Sequence, residues 1–545
     1  MLTSYIGIIL ALNIPLVQRA VSSMASNELT KLLGAEVSIG NINLGFLNRV
    51  ILEDVRLNDE QGTEMLSVAR ISAAYDIIPL LDGKIDISSA QLFGFNAHLN
   101  KETPDAKTNF QFIIDALSSE SEEPSRIDLR INSLMIRRGN VTYDVLSEEV
   151  KEGVFNINHL QLNNMRANLS LKALRSDTLN ASIKQLSLEE ANSGFTLDKF
   201  DFRIVSNERL TVIDNFNIRL PNTTLLIDTI NVRYDSIAAL HNFADNAQFS
   251  VHLKPSEITL QDIAAFVPNL KTFRDKILVE ILAEGTVNDL HLPILKINGN
   301  HIRIDGNADI QGISHLDNAI VRGQLSEVYA DPDGVAFLMR NLSDDFEDLP
   351  DVIKNLGSIY FNGNISGPLT HMVTHGKLQT DLGSFQGNMQ LMSDKVKGTF
   401  GYVGDLQTDG FSLGSLLDNN DLGNISFSLG LNGTHLRERH SKILVKGVID
   451  SLTYSGYTYH NIVLDGEQQG AGYNGTIELN DDNAYVKMVG TLNLLARTPE
   501  FNFNADIEHF RPNPLHLTDN YQDSELSLNI KANFIGSSID EMIGE

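Results

Sequence analysis

Between residues 35 and 99 apolar side chains fall on alternate positions: Val37 and Ile39, Val50 and Leu52, Val55 and Leu57, then Ile71, Ala73, Tyr75 and Ile77, then Phe93, Phe95, Ala97 and Leu99. A period of two sends successive side chains to opposite faces of a strand. Asn58 to Gly62 and Asp82 to Lys84 break the runs with turn-forming residues. The stretch therefore predicts an antiparallel meander with one apolar and one polar face. The alternation is weaker between residues 127 and 227, where Pro221 and Asn222 mark a turn. It becomes regular again in Ile425, Phe427, Leu429 and Leu431, in Ala484, Val486 and Met488, in Phe501, Phe503 and Ala505, and in Leu526, Leu528 and Ile530. Helical spacing is confined to residues 14–33, 110–117, 260–275 and 335–356. A short leucine-rich element followed by an alternating strand ending near glycine recurs loosely four times. It starts at Ile258, Val335, Phe411 and Leu515, as duplication of a β unit would leave it.

Most of the chain thus reads as strands with one apolar side, and the helices are too few to cover it. Large apolar patches on soluble proteins mark binding surfaces. The sheet can pack on itself as a sandwich, close as a filled barrel, or curl into a trough that holds an apolar ligand. The expected fold class is mostly β: a long twisted antiparallel sheet curled into a U-shaped hydrophobic groove, with a few short covering helices.

Composition narrows the partners. The chain of 545 residues carries a formal charge of −28, which argues against nucleic acid and against a polybasic hold on an anionic membrane. It has no Cys, so thiolate metal sites and Cys nucleophiles are excluded, and no Trp. Residues 2–17 are mostly apolar with no Lys or Arg before Arg19. A signal anchor starting upstream of Met1, a cleaved signal peptide and a buried helix are three readings of this stretch. Ile14, Val17, Val21, Met24 and Leu32 form one stripe of the following helix, which Gly34 caps. The chain stops just after a strand, as an array continuing in a longer parent would.

The motif tests are negative. Gly470, Gly472 and Gly475 match a dinucleotide fingerprint, but residues 476–479 continue as a strand where the fingerprint needs a helix. His371 and His375 follow Gly367 and Pro368 and read as a solvated loop; His435 and His440 have less support still. The acidic run at 344–348 reads as a solvated face, and SSESEEPS (118–125) as a surface linker. No nucleophile elbow or acid/base pair is found, so the expectation is a non-enzyme with no cofactor and no metal.

The stretches GAEVSIGNINLGFLNRVILEDVRLNDEQG, LSVARISAAYDIIPLLDGKIDISSAQLFG and TNFQFIIDAL, preceded by IPLVQRAVSSMASNELTKLLG, resemble the N-terminal part of the TamB family in the AsmA-like superfamily, in the form typical of Bacteroidetes-type bacteria. The first hundred and twenty residues carry most of it. The resemblance implies a membrane anchor at 1–18, an amphipathic helix at 19–34, an AsmA/TamB-like β module at 35–120 and a repetitive β-groove at 121–545. It implies a single-pass protein of the bacterial inner membrane with its bulk in the periplasm. Such a protein would conduct phospholipid acyl chains toward the outer membrane and bind an outer-membrane assembly-type barrel protein through a C-terminal part absent here. Phe93, Phe95, Ile425, Phe427, Leu429, Val486, Met488, Phe501, Phe503, Leu526 and Leu528 are the expected groove lining. The alternative is a periplasmic scaffold or chaperone that assists outer-membrane protein assembly or secretion by pairing client strands at an open sheet edge.

Overall fold

A computed structural model of the chain describes residues 14–44, 48–75, 87–118, 133–175, 178–272, 274–314, 319–342, 348–394, 399–434, 442–469, 472–493, 499–518, 524–536 and 543–544. Residues 1–13 of the expected anchor, the turn at 82–84, most of the acidic linker, residues 344–347, His435 and His440 lie outside them. The chain divides into two units, 1–284 and 285–545. The protein is mostly β.

In the first unit a helix, α1 (Pro15–Leu33), precedes strands β1 (Val37–Leu44), β2 (Arg49–Asn58), β3 (Glu64–Tyr75) and β4 (Ile87–Lys101), which pair antiparallel in sequence order. Gly34 ends α1 in the left-handed conformation (φ 70°) and donates to the Thr30 carbonyl at 2.9 Å, the cap its position predicts. At the β2–β3 turn the Asp59 carboxylate accepts from the backbone N–H groups of Gln61 (2.9 Å) and Thr63 (2.8 Å). Helix α2 (Gln111–Ser118) follows β4, and β5 (Leu134–Val145) then returns parallel to β4. This pair interrupts the otherwise antiparallel order, because a helix inserted between two strands lets the chain cross back to the same end. The meander resumes through β6 (His159–Arg175), β7 (Thr178–Glu190), β8 (Thr196–Ser206), β9 (Leu210–Arg219), β10 (Thr224–Arg233) and, past the short α3 (Phe243–Asn246), β11 (Gln248–Thr259). The segment expected to be helical at 260–275 forms two 3₁₀ turns, Leu260–Ile263 and Pro268–Thr272, before β12 (Lys276–Gly285).

A core cluster of this unit lies where α1 meets the sheet. Ala35, Val37, Ile39, Leu57 and Met65 are buried, with Ala25, Leu29 and Leu33 of α1 packed against them. The apolar stripe of the helix turns outward in part: Ile14, Met24 and Leu32 are exposed. The reason is that α1 runs along the open edge of β1. Ser26 Oγ accepts the Ile39 N–H and Thr30 Oγ1 accepts the Val37 N–H, each at 3.0 Å. An edge strand has backbone groups to satisfy, so small hydroxyl residues face it.

In the second unit β13 (Asp289–Asn298), β14 (Ile302–Gln311), β15 (Ile320–Ala330), β16 (Ile359–Pro368), β17 (His371–Thr380), β18 (Gly383–Asp394), β19 (Thr399–Ser412), β20 (Leu422–Thr434), β21 (Lys442–Tyr454), β22 (Tyr457–Gln469), β23 (Gly472–Asp481), β24 (Ala484–Asn493), β25 (Glu500–Phe510), β26 (Leu526–Ile535) and β27 (Ile543–Gly544) follow one another, each antiparallel to the next. The leucine-rich elements take up separate structures between strands. Helices α4 (Pro332–Leu342) and α5 (Asp351–Asn355) join β15 to β16, α6 (Leu413–Leu417) joins β19 to β20, and a turn through Leu515 joins β25 to β26. Each follows an odd-numbered strand. In an antiparallel meander all of these connections fall at the same ends of the strands.

Candidate functional site: an apolar sheet face closed along one margin

Strand register in the second unit aligns apolar residues into rows that cross the sheet. One row runs Phe361, Leu378, Phe385, Thr408, Phe427, Ile449, Ile462, Leu479, Val486, Ile507, Leu528. The next runs Leu406, Leu429, Gly447, Leu464, Ile477, Met488, Ala505, Ile530. A third carries Met389, Gly404, Leu431 and Val445 and, further along, Gly490, Phe503 and Ala532. A fourth pairs Leu492 with Phe501 and Phe501 with Phe534, whose rings stack at 4.6 Å. The residues between these, such as Lys377, Gln386, Ser428, Lys446, Asp465, Glu478, Lys487 and Asn504, make the opposite face polar. Exposed ion pairs such as Lys446–Asp465 (2.8 Å) and Lys442–Glu467 (2.9 Å) lie there. Such pairs add little stability.

Among the described residues the large side chains of the apolar face are sealed chiefly along the margin where the capping elements sit. There Phe411 is 2% exposed, with its ring centroid 4.6 Å from that of Phe385. Ile425, its partner in register, is buried, as are Ile302, Ala330, Leu349, Ala484 and Leu515. The Tyr459 hydroxyl donates to the Leu515 carbonyl at 3.0 Å and holds the last cap down. Away from this margin the buried members of the rows are small, Ala308, Ala505 and Ala532, or lie at the far strand β13, as Leu292 does. Large ones stay partly exposed, Leu391 at 38% and Leu528 at 39%. Glycines on the same face let neighbouring backbones approach closely. A Cβ at Gly376 would lie 2.8 Å from both the Gly363 Cα and the Phe361 ring.

The residues expected to line a groove distribute as follows. Ile425 sits in the sealed margin. Phe427, Leu429, Val486, Met488, Phe501, Phe503 and Leu528 share the apolar face. Leu526 pairs with Phe510 beyond a bulge at His509 (φ 38°) and is exposed. Phe93 and Phe95 belong to the first unit and part company. Phe95 lies opposite buried Val68, whereas Phe93 lies between Arg70 and Arg137, is 42% exposed, and has the Arg138 guanidinium 5.1 Å from its ring centre. Gly94 between them has φ 66°, a left-handed turn of the backbone that breaks strict alternation. Asp54 (φ 53°) and Arg138 (φ 56°) hold the same conformation at positions aligned with it in register. The break therefore crosses several strands as a crease.

His371 and His375 lie in β17 and not in a loop. On a strand, positions four apart are separated by about 13 Å, and the His375 ring bonds Asn388. Gly472, Gly475 and residues 476–479 all lie inside β23, a strand where the would-be fingerprint needs a helix; Gly470 lies outside the described residues. Among the described residues no three His, Asp or Glu side chains converge as a metal site would need. Nor is any described helix long and apolar enough to cross a membrane. Two concavities open on the polar side. One, of about 700 Å³, is bounded by Asp405, Asn432, Lys446 and Asp465; the other, of about 680 Å³, by Asn307, Gln324, Asn364 and Gln386.

The fold and its face define a β-sheet protein of one-sided, partly covered type. Compared with models of known protein families, with curated proteins and with solved structures, the chain matches none.

Proposed function

We propose that the protein holds the acyl chains of phospholipids against the apolar face of its second unit and lets them pass along the register rows. The observation that carries this reading is an apolar face, closed along one margin by short caps, whose large side chains away from that margin are partly exposed among the described residues. Each methylene moved from water onto such a face gains about 0.8 kcal/mol. The rows cross strand after strand, so a chain can shift from one strand to the next without losing contact. Headgroups stay at the uncovered side, in water. The resemblance to the TamB family of the AsmA-like superfamily supports the wider setting: an inner-membrane anchor at the N-terminus, a periplasmic body, and delivery toward the outer membrane through an assembly-type barrel protein.

The test is site-specific photocrosslinking in membranes carrying labelled phospholipid. A photoreactive residue at Leu429 should capture lipid, and one at the adjacent Ser428, on the other face, should not. Equal capture at both positions, or none at Leu429, would defeat the proposal.

A further inference from the structure

The polar face of the second unit carries a feature unlike its surroundings. Tyr329 and Tyr360 are partners in register, with ring centroids 4.8 Å apart. The Arg303 guanidinium lies 4.0 Å from the Tyr329 ring centre, and its Nε donates to Glu327 at 3.2 Å. One ring is thus propped from behind while Tyr360 remains 39% exposed. Asn362 and Asn364 follow on the same face of β16, in steps of about 7 Å, and lead from the tyrosine into the concavity of about 680 Å³. Register places Gln324 and His375 on either side of Asn364. Within the chain, among the described residues, the side-chain amides of Gln324, Asn364 and Gln386 make no hydrogen bond, although each carries two donors and an acceptor.

The chemistry selects the ligand. An apolar ligand would strip water from these amides without replacing its hydrogen bonds. An anion would need an excess of cations, yet Arg303 and Lys377 are balanced by Asp305 and Glu327 in a chain of charge −28. A sugar ring fits both halves of the site. Its C–H face can lie on the exposed tyrosine, and its hydroxyls, donors and acceptors at once, match neutral amides. The size of the concavity is in the range of small-ligand pockets.

We propose that Tyr360, backed by Tyr329 and Arg303, and the amide-lined concavity beside it form a binding site for a linear oligosaccharide. The site lies on the face opposite the apolar rows, so it stands or falls independently of lipid carriage. Saturation-transfer NMR and calorimetry with tetra-N-acetylchitotetraose and cellotetraose as probes test it. At least one tetrasaccharide should bind at millimolar concentration or below. Tyr360→Ala should weaken binding at least tenfold, Tyr360→Phe should retain it, and Asn364→Ala should weaken it several-fold. Asn502→Ala, on the polar face of β25, should leave it unchanged. If the intact protein binds neither sugar, or if binding survives both Tyr360→Ala and Asn364→Ala, the proposal is wrong. Asn364→Ala changes an exposed side chain and keeps the test decisive if Tyr360→Ala does not fold.

Discussion

Gly363 and Gly376 face each other across β16 and β17, and the Phe361 ring closes over both. A methyl group on Gly376 would collide with the Asn362 carbonyl as well as with that ring, and the backbone cannot yield without disturbing the ladder. Gly376→Ala should therefore destabilise the second unit by about 1–3 kcal/mol, the range of overpacked cores. Urea unfolding followed by circular dichroism measures it, and an unchanged midpoint would show that the two strands can separate freely.

The contrast between the sealed margin and the rest of the apolar face gives a second expectation. Phe411→Ala removes a ring at 2% exposure and should cost about 3–5 kcal/mol. Leu391→Ala removes a side chain already 38% exposed and should cost less than about 1 kcal/mol. Comparable losses at both sites would mean that the face is covered throughout.

The shielding of β1 by α1 can be removed without touching the core. In the double variant Ser26→Ala, Thr30→Val the Val37 and Ile39 N–H groups lose their acceptors. Each loss should cost about 1 kcal/mol. The freed edge should also pair with other molecules. Size-exclusion chromatography with light scattering should show concentration-dependent association of the variant and none of it in the parent.

His159 provides a pH dependence. Its Nδ1 faces Asp144 Oδ1 at 2.9 Å and its Nε2 faces the Glu148 carbonyl at 2.9 Å. Two acceptors favour the doubly protonated ring. The hydrogen bond to Asp144 leads in raising its pKa above the ordinary 6.5, partial burial opposes it, and the Glu148 carbonyl adds to the rise. A raised pKa in the folded state means that the stabilisation is complete below the unfolded value and fades as pH climbs through the folded one. The first unit should lose stability from pH 6 to pH 8, and His159→Gln should flatten that dependence. Proton NMR titration of the His159 ring gives the folded pKa directly; a value at or below 6.5 would refute the clamp.

Strand positions were readable in the sequence wherever alternation was strict, as in Phe501 to Ile507 or Ala484 to Met488, because a one-sided sheet imposes its period on the chain. Even the crease left a trace. Val50 and Leu52 fall on even positions and Val55 and Leu57 on odd ones; the positive φ of Asp54 makes that switch, so Leu52, Val55 and Leu57 pack into one core. Gly94 likewise separates Phe93 from Phe95, since its left-handed turn reverses a face that spacing alone keeps constant. The parallel β4–β5 pair, the 3₁₀ turns at 260–272 and the hydroxyl side of α1 depend on which elements meet, and local pattern does not contain that. The tyrosine pair is likewise a product of register: Tyr329 and Tyr360 are far apart in sequence and become neighbours only when β15 and β16 align.

The caps of the second unit all follow odd-numbered strands, and this sets a rule for how such a chain can change length in evolution. Gaining or losing a whole hairpin leaves every cap on its own side. Gaining or losing a single strand would send all later caps to the opposite rim and strip the oily flank they guard. Copy number in this protein's lineage should therefore vary by twos.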